Sequence, residues 1–110
     1  MQINISSFLN ALKLRLNEYK ERMGLTYFHS FGVSATEGGK YFKVFRHELK
    51  ENGTEQGQRN LVCFINKETG DIFKPASFAA PAKTARGNTG SPSLGMESID
   101  ASGHVIYLRG

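Results

Sequence analysis

The sequence has one cysteine, no tryptophan, three prolines and no long apolar run. Each scarcity removes a class of protein. A single thiol, Cys63, cannot close an internal disulfide, so a reducing cytoplasm is the expected compartment. Cys63 lies between Val62 and Phe64 in a run that reads as a buried strand, which points to packing rather than reactivity. The three histidines, His29, His47 and His104, have no Cys or His partner at ligand spacing, so no metal site is expected. No stretch approaches the roughly 20 apolar residues of a membrane span, and no membrane partner is expected. The opening MQINISSFLNALKLR has neither a charged start nor a small-residue cleavage site, and it is not read as a signal peptide.

What is present suits one small α+β domain over residues 1–110, with 39% hydrophobic and 22% charged residues. Ile5, Phe8, Leu9, Leu12, Leu16, Tyr19 and Met23 recur at spacings of three and four. This predicts an amphipathic helix over residues 6–23, capped by Ser6 or Ser7 and closed by Gly24. Glu18 and Arg22 stand four apart in the favourable order. Leu14 falls off the stripe.

Aromatic and β-branched residues then dominate 25–36, 40–49 and 59–66, separated by Glu37-Gly38-Gly39 and by the polar run 50–58. Gly32 suggests a bulge in the first of these strands. Apolar residues on both faces of 40–49 suggest a central strand. Lys67-Glu68-Thr69-Gly70 is a tight turn before DIFK, residues 71–74, which Pro75 ends. HVIYL, residues 104–108, reads as one last strand. The expected architecture is an N-terminal helix packed on a four- to five-stranded antiparallel sheet, with a Pro/Ala-rich loop.

That loop, PASFAAPAKTARGN, resists assignment. Pro75 and Pro81 each stiffen the chain and push the preceding residue out of helical geometry. Two short turns are expected, at 76–80 and 82–86, with Phe78 anchoring the segment to the core. A helical turn would set Lys83 beside Arg86. With Gly87 and Asn88 as the exposed-donor end, these are parts of an anion cradle. The spacing matches neither a dinucleotide-binding glycine pattern nor a phosphate-binding loop.

Net charge is +4. Between residues 72 and 96 the only charged side chains are Lys74, Lys83 and Arg86, all cationic. Tyr41, Lys43 and Phe45 alternate onto one strand face, on which rings could stack bases while Lys43 meets phosphate. The plainer reading puts Phe45 and Leu49 in the core and Lys43 at its rim. The expected nucleic-acid or anion-binding set is Lys43, Lys74, Lys83, Arg86, Gly87 and Asn88. His29, His47, Glu48, Cys63, Asp71 and His104 form no recognisable catalytic constellation, so neither an enzyme nor a cofactor is expected. His47 and Glu48 point to opposite faces of a strand and are not read as a pair.

The run 67–88 resembles a motif of small uncharacterised proteins of tailed bacteriophages, Lys-Pro-Ala-x-Trp-Lys-x-Pro-Ala-Lys-x-Ala-Arg-Gly-Asn. Lys74, Pro75, Ala76, Pro81, Ala82, Lys83, Ala85, Arg86, Gly87 and Asn88 match it. Phe78 stands where the motif has Trp, and Ala79 where it has Lys. The resemblance covers about a fifth of the chain. It implies a phage accessory protein working in the cytoplasm of the infected bacterial host, and it implies no activity. Weak DNA or RNA binding through the basic loop is the favoured function. The alternative is a protein-interaction module acting on a host protein, as inhibitor or anti-defence factor, or a minor virion component.

Overall fold

The computed structural model describes residues 3–106. One helix, α1 (Ser6–Met23), lies on a five-stranded antiparallel sheet. The strands are β1 (Ser30–Glu37), β2 (Tyr41–Leu49), β3 (Glu55–Asn66), β4 (Asp71–Pro75) and β5 (Pro81–Asn88), and they neighbour one another in chain order. The expected α+β architecture is therefore found, as a simple meander under one helix.

The helix stripe forms the core much as its spacing predicts. Phe8, Leu12 and Leu16 are buried, with Ile5 at the helix entrance and Leu9 and Tyr19 at the margins. They meet Phe42 and Val44 of β2, Cys63 and Ile65 of β3, and Ile72 of β4. Each fully buried large side chain stabilises the fold by about 1.5–3 kcal/mol. Met23, expected on the stripe, is exposed, and Leu14 is exposed as well. Gly24 closes α1 at φ 66°, a left-handed angle costly for other residues. At the other end the expected serine cap is absent. Ile5 occupies the cap position, and Asn4 Oδ1 accepts the Ser6 N–H at 2.9 Å. Arg22 does not pair with Glu18; it donates to the Ala101 carbonyl at 3.1 Å and lies over the Tyr19 ring.

β2 and β3 are central, as their two apolar faces imply. Gly32 makes no bulge: β1 and β2 keep an unbroken register. Its smallness has another cause. A Cβ there would meet the His47 ring at 2.8 Å, so the glycine is floor space for that imidazole. The irregularities lie instead between β2 and β3, after Val44 and after Arg46, and between β4 and β5, after Ile72 and after Phe73.

The main departure concerns residues 75–98. Where two turns and a long loop were expected, Pro81–Asn88 is strand β5, paired to β4 with Asp71 opposite Asn88 and Pro75 opposite Pro81. The prolines sit where a ladder tolerates a missing donor, at the last residue of β4 and the first of β5. Ser77 closes the hairpin between them: its hydroxyl accepts the N–H groups of Ala79 and Ala80 at 3.2 Å. A short 3-10 turn, Met96–Ser98, follows. The expected last strand does not join the sheet within the described residues. Val105 makes one antiparallel bridge to Ile99, and Tyr107 and Leu108 lie outside the described residues.

Arginines fasten this C-terminal strap through its carbonyls. Arg15 donates to Met96 O at 3.0 Å and to Ile99 O at 2.6 Å. Arg22 holds Ala101, and Arg86 donates to Ile106 O at 3.2 Å. Part of the net positive charge is thus spent on internal backbone rather than displayed.

Candidate functional site

Alternation along β2 places Phe42 and Val44 under the helix, and Tyr41, Lys43 and Phe45 on the opposite, helix-free face. Register brings further rings to that face: Lys43 is opposite Phe64, and Phe64 is opposite Phe73. Tyr41 packs edge-on against Phe64 and Phe73, at centroid separations of 5.9 and 5.8 Å. The β4–β5 hairpin tip carries Phe78 over the same face, 6.0 Å from Phe45.

Lys43 is the centre of this cluster. Its Nζ lies 4.4 Å from the Phe78 centroid and 5.7 Å from that of Phe64. A cation over a ring gains about 0.5–1 kcal/mol at an exposed site, enough to orient a long side chain. Phe45 and Phe64 are buried beneath the cluster, whereas Phe78 is 67% exposed. The expected anchoring of Phe78 in the core is therefore corrected: the hairpin turns the ring outward onto Lys43 and Phe45. Beside it opens a cavity of about 320 Å³ bounded by Lys40, Tyr41, Lys43, Phe64 and Ala79, with Glu37 at its rim. Glu37 is engaged by Lys67 Nζ at 2.8 Å. Of the plainer reading, Phe45 is buried as expected, whereas Leu49 is only half-buried.

The loop residues expected to form an anion cradle are distributed differently. In an extended strand, residues three apart do not stand side by side, so Lys83 and Arg86 are not the expected pair. Lys83 is exposed on edge strand β5. Arg86 turns to the strap and also donates to the Thr84 carbonyl. Lys74 follows Phe73 and faces the helix side, where it borders a different concavity with Arg46. Gly87 is packed against the strap: a Cβ there would lie 2.7 Å from Glu97 Oε2 and 2.9 Å from Ser98 Cβ.

The cradle exists, but the protein's own carboxylate fills it. Glu97 Oε2 accepts the Asn88 N–H at 2.9 Å, and Oε1 accepts the Ser91 hydroxyl at 2.6 Å and that of Ser93. Burial opposes the charge, yet these donors outweigh it and hold the carboxyl down at about 2. The Asn88 side chain is equally committed, donating to Thr69 O and Asp71 Oδ1 at 2.9 Å each and accepting Gly90 N–H. Sequence reasoning missed Glu97 because it lies nine residues beyond the motif. The small-residue run GNTGSPSLG, rich in hydroxyl and backbone donors, was the available signal.

A model of the family of unknown function DUF7717 matches residues 5–108. The chain belongs to that family. The DUF7717 match runs through α1, all five strands and the strap, so the carboxylate lock and the aromatic face both fall inside it. No curated protein and no solved structure matches the chain. Cys63 is fully buried, and burial pushes its thiol well up, which removes it as a nucleophile at neutral pH. Among the described residues no group of three His, Cys, Asp or Glu side chains could hold a metal ion, and no helix is long and apolar enough to cross a membrane.

Proposed function

We propose that this chain is a small phage accessory protein whose helix-free sheet face makes weak, salt-dependent contact with single-stranded nucleic acid. The phage origin rests on the resemblance over residues 74–88. The nucleic-acid reading rests chiefly on one observation: Lys43 stands between the rings of Phe64 and Phe78, and Phe78 is largely exposed. Phe78 offers a stacking surface that any base can use, and Lys43 a phosphate contact beside it. Lys40, whose Nζ lies 5.5 Å from the Tyr41 centroid, extends the track, and Lys83 continues it on the exposed edge strand. Arg86, Gly87 and Asn88 support this face by tying β5 to the strap rather than by touching the ligand.

Fluorescence polarisation with a labelled single-stranded oligonucleotide tests the reading. Binding should weaken as salt rises, by roughly 0.7 in log–log slope for each phosphate neutralised. Phe78→Ala should cost about 1–3 kcal/mol of binding, the value of one stacked base. Lys43→Ala should weaken binding and flatten the salt slope. No binding at about 50 mM salt, where electrostatic contacts are strong, overturns the proposal.

A further inference from the structure

We infer that a second concavity, on the helix side of the sheet, is a binding site for a phosphate monoester of the mononucleotide type. It has a volume of about 350 Å³, within the range of small-ligand sites. Arg46 of β2, Asn60 of β3, Lys74 of β4 and His104 of the strap all border it. Four chain segments thus bring donors to one place, and no Asp or Glu is among the described residues that line it.

Two of these groups, Arg46 and His104, are held in place by named neighbours. Arg46 lies over the Phe31 ring at 5.9 Å, an arrangement that leaves the guanidinium edge available for a fork to phosphate oxygens. Glu48, two residues along β2, is engaged by the Tyr27 hydroxyl. The His104 ring is oriented by a 2.8 Å hydrogen bond between Nδ1 and Ser102 Oγ. Asp100, beside His104, spends its Oδ1 on the Ser102 N–H, the Ser102 hydroxyl and the His104 N–H, at 2.9, 2.6 and 3.0 Å. Val62 and Val105, both of the apolar cluster under the helix, supply apolar walls on which a planar base can lie. A lining that combines cations and an amide with apolar side chains suits a dianionic phosphate carrying a ring better than a free anion.

This site stands independently of the sheet face, which lies on the other side of the β-sheet. The test is titration of the isotope-labelled protein with adenosine 5′-monophosphate, ribose 5-phosphate and inorganic phosphate, followed by amide chemical shifts. The monophosphate should move the amides of Arg46, Asn60 and His104 and bind more tightly than either smaller anion. Asn60 is exposed, so Asn60→Asp leaves the fold intact while placing a carboxylate in the site. It should weaken binding about tenfold or more, as should Arg46→Gln, since each removes or opposes a charge-assisted hydrogen bond. Lys43→Ala and Phe78→Ala should leave it unchanged, so failure of oligonucleotide binding would not touch this result. The inference is overturned if the monophosphate binds no better than inorganic phosphate or ribose 5-phosphate, or if Asn60→Asp binds it as well as the parent does.

Discussion

Replacing Glu97 by glutamine keeps the shape of the side chain and removes its charge. The carboxylate receives the Asn88 N–H, the Ser91 hydroxyl and the Ser93 hydroxyl, and so joins β5 to the strap. Hydrogen bonds to a charged group contribute about 1.5–3 kcal/mol each when buried, but Glu97 is exposed, so the three together are discounted to a loss of about 1–2 kcal/mol. The pH dependence follows from the sign of the shift. The folded carboxyl, at about 2, lies below its ordinary value of 4.5, so the unfolded chain binds the proton first. The stabilisation is complete above about pH 4.5 and is lost as pH falls toward about 2. Urea denaturation of the parent and of Glu97→Gln at neutral pH and near pH 3 measures both effects. The gap between the two proteins should narrow in acid. A variant as stable as the parent at neutral pH, or a gap unchanged in acid, would refute the carboxylate lock.

Asn17 imitates a neighbouring strand at the β1 edge, accepting Phe31 N–H at 2.8 Å and donating to Phe31 O at 3.2 Å. Asn17→Ala should cost about 1–3 kcal/mol in thermal or chemical unfolding, and light scattering should show more self-association through the bared edge. Gly103 has φ +83°, and a Cβ there would lie 2.2 Å from Leu16 Cδ2. Gly103→Ala should therefore destabilise by about 2–4 kcal/mol, combining overpacking with left-handed strain; an unchanged denaturation midpoint contradicts that packing. His47 is almost enclosed, and neither ring nitrogen has a hydrogen-bond partner among the described residues, with Glu55 3.9 Å from Nδ1. His47→Leu should leave stability unchanged or raise it, by up to about 1–3 kcal/mol, because an unpaired polar group is removed from the interior; a clear loss in urea unfolding would point to a bond that this geometry does not contain. Cys63 should resist a thiol reagent in the native protein and react only at the rate of unfolding, so rapid labelling would contradict its burial.

The stripe from Ile5 to Leu16, the left-handed glycine after it and the alternation of β2 and β3 were legible because each depends on neighbours within a few residues. Helix, meander and strand order follow from that local pattern. PAKTARGN was not legible in the same way. It contains alanine, glycine and proline where strands usually hold β-branched residues, and it is a strand because β4 presents an unpaired edge across a serine-closed hairpin. The tertiary structure also decided which charges are available. Glu97 reaches back nine residues to fill the donors that Asn88 offers, arginines 15, 22 and 86 turn to strap carbonyls, and Lys74 and Lys43 part to opposite faces. Composition counts cations in sum, whereas a carboxylate or carbonyl distant in sequence determines where each of them points.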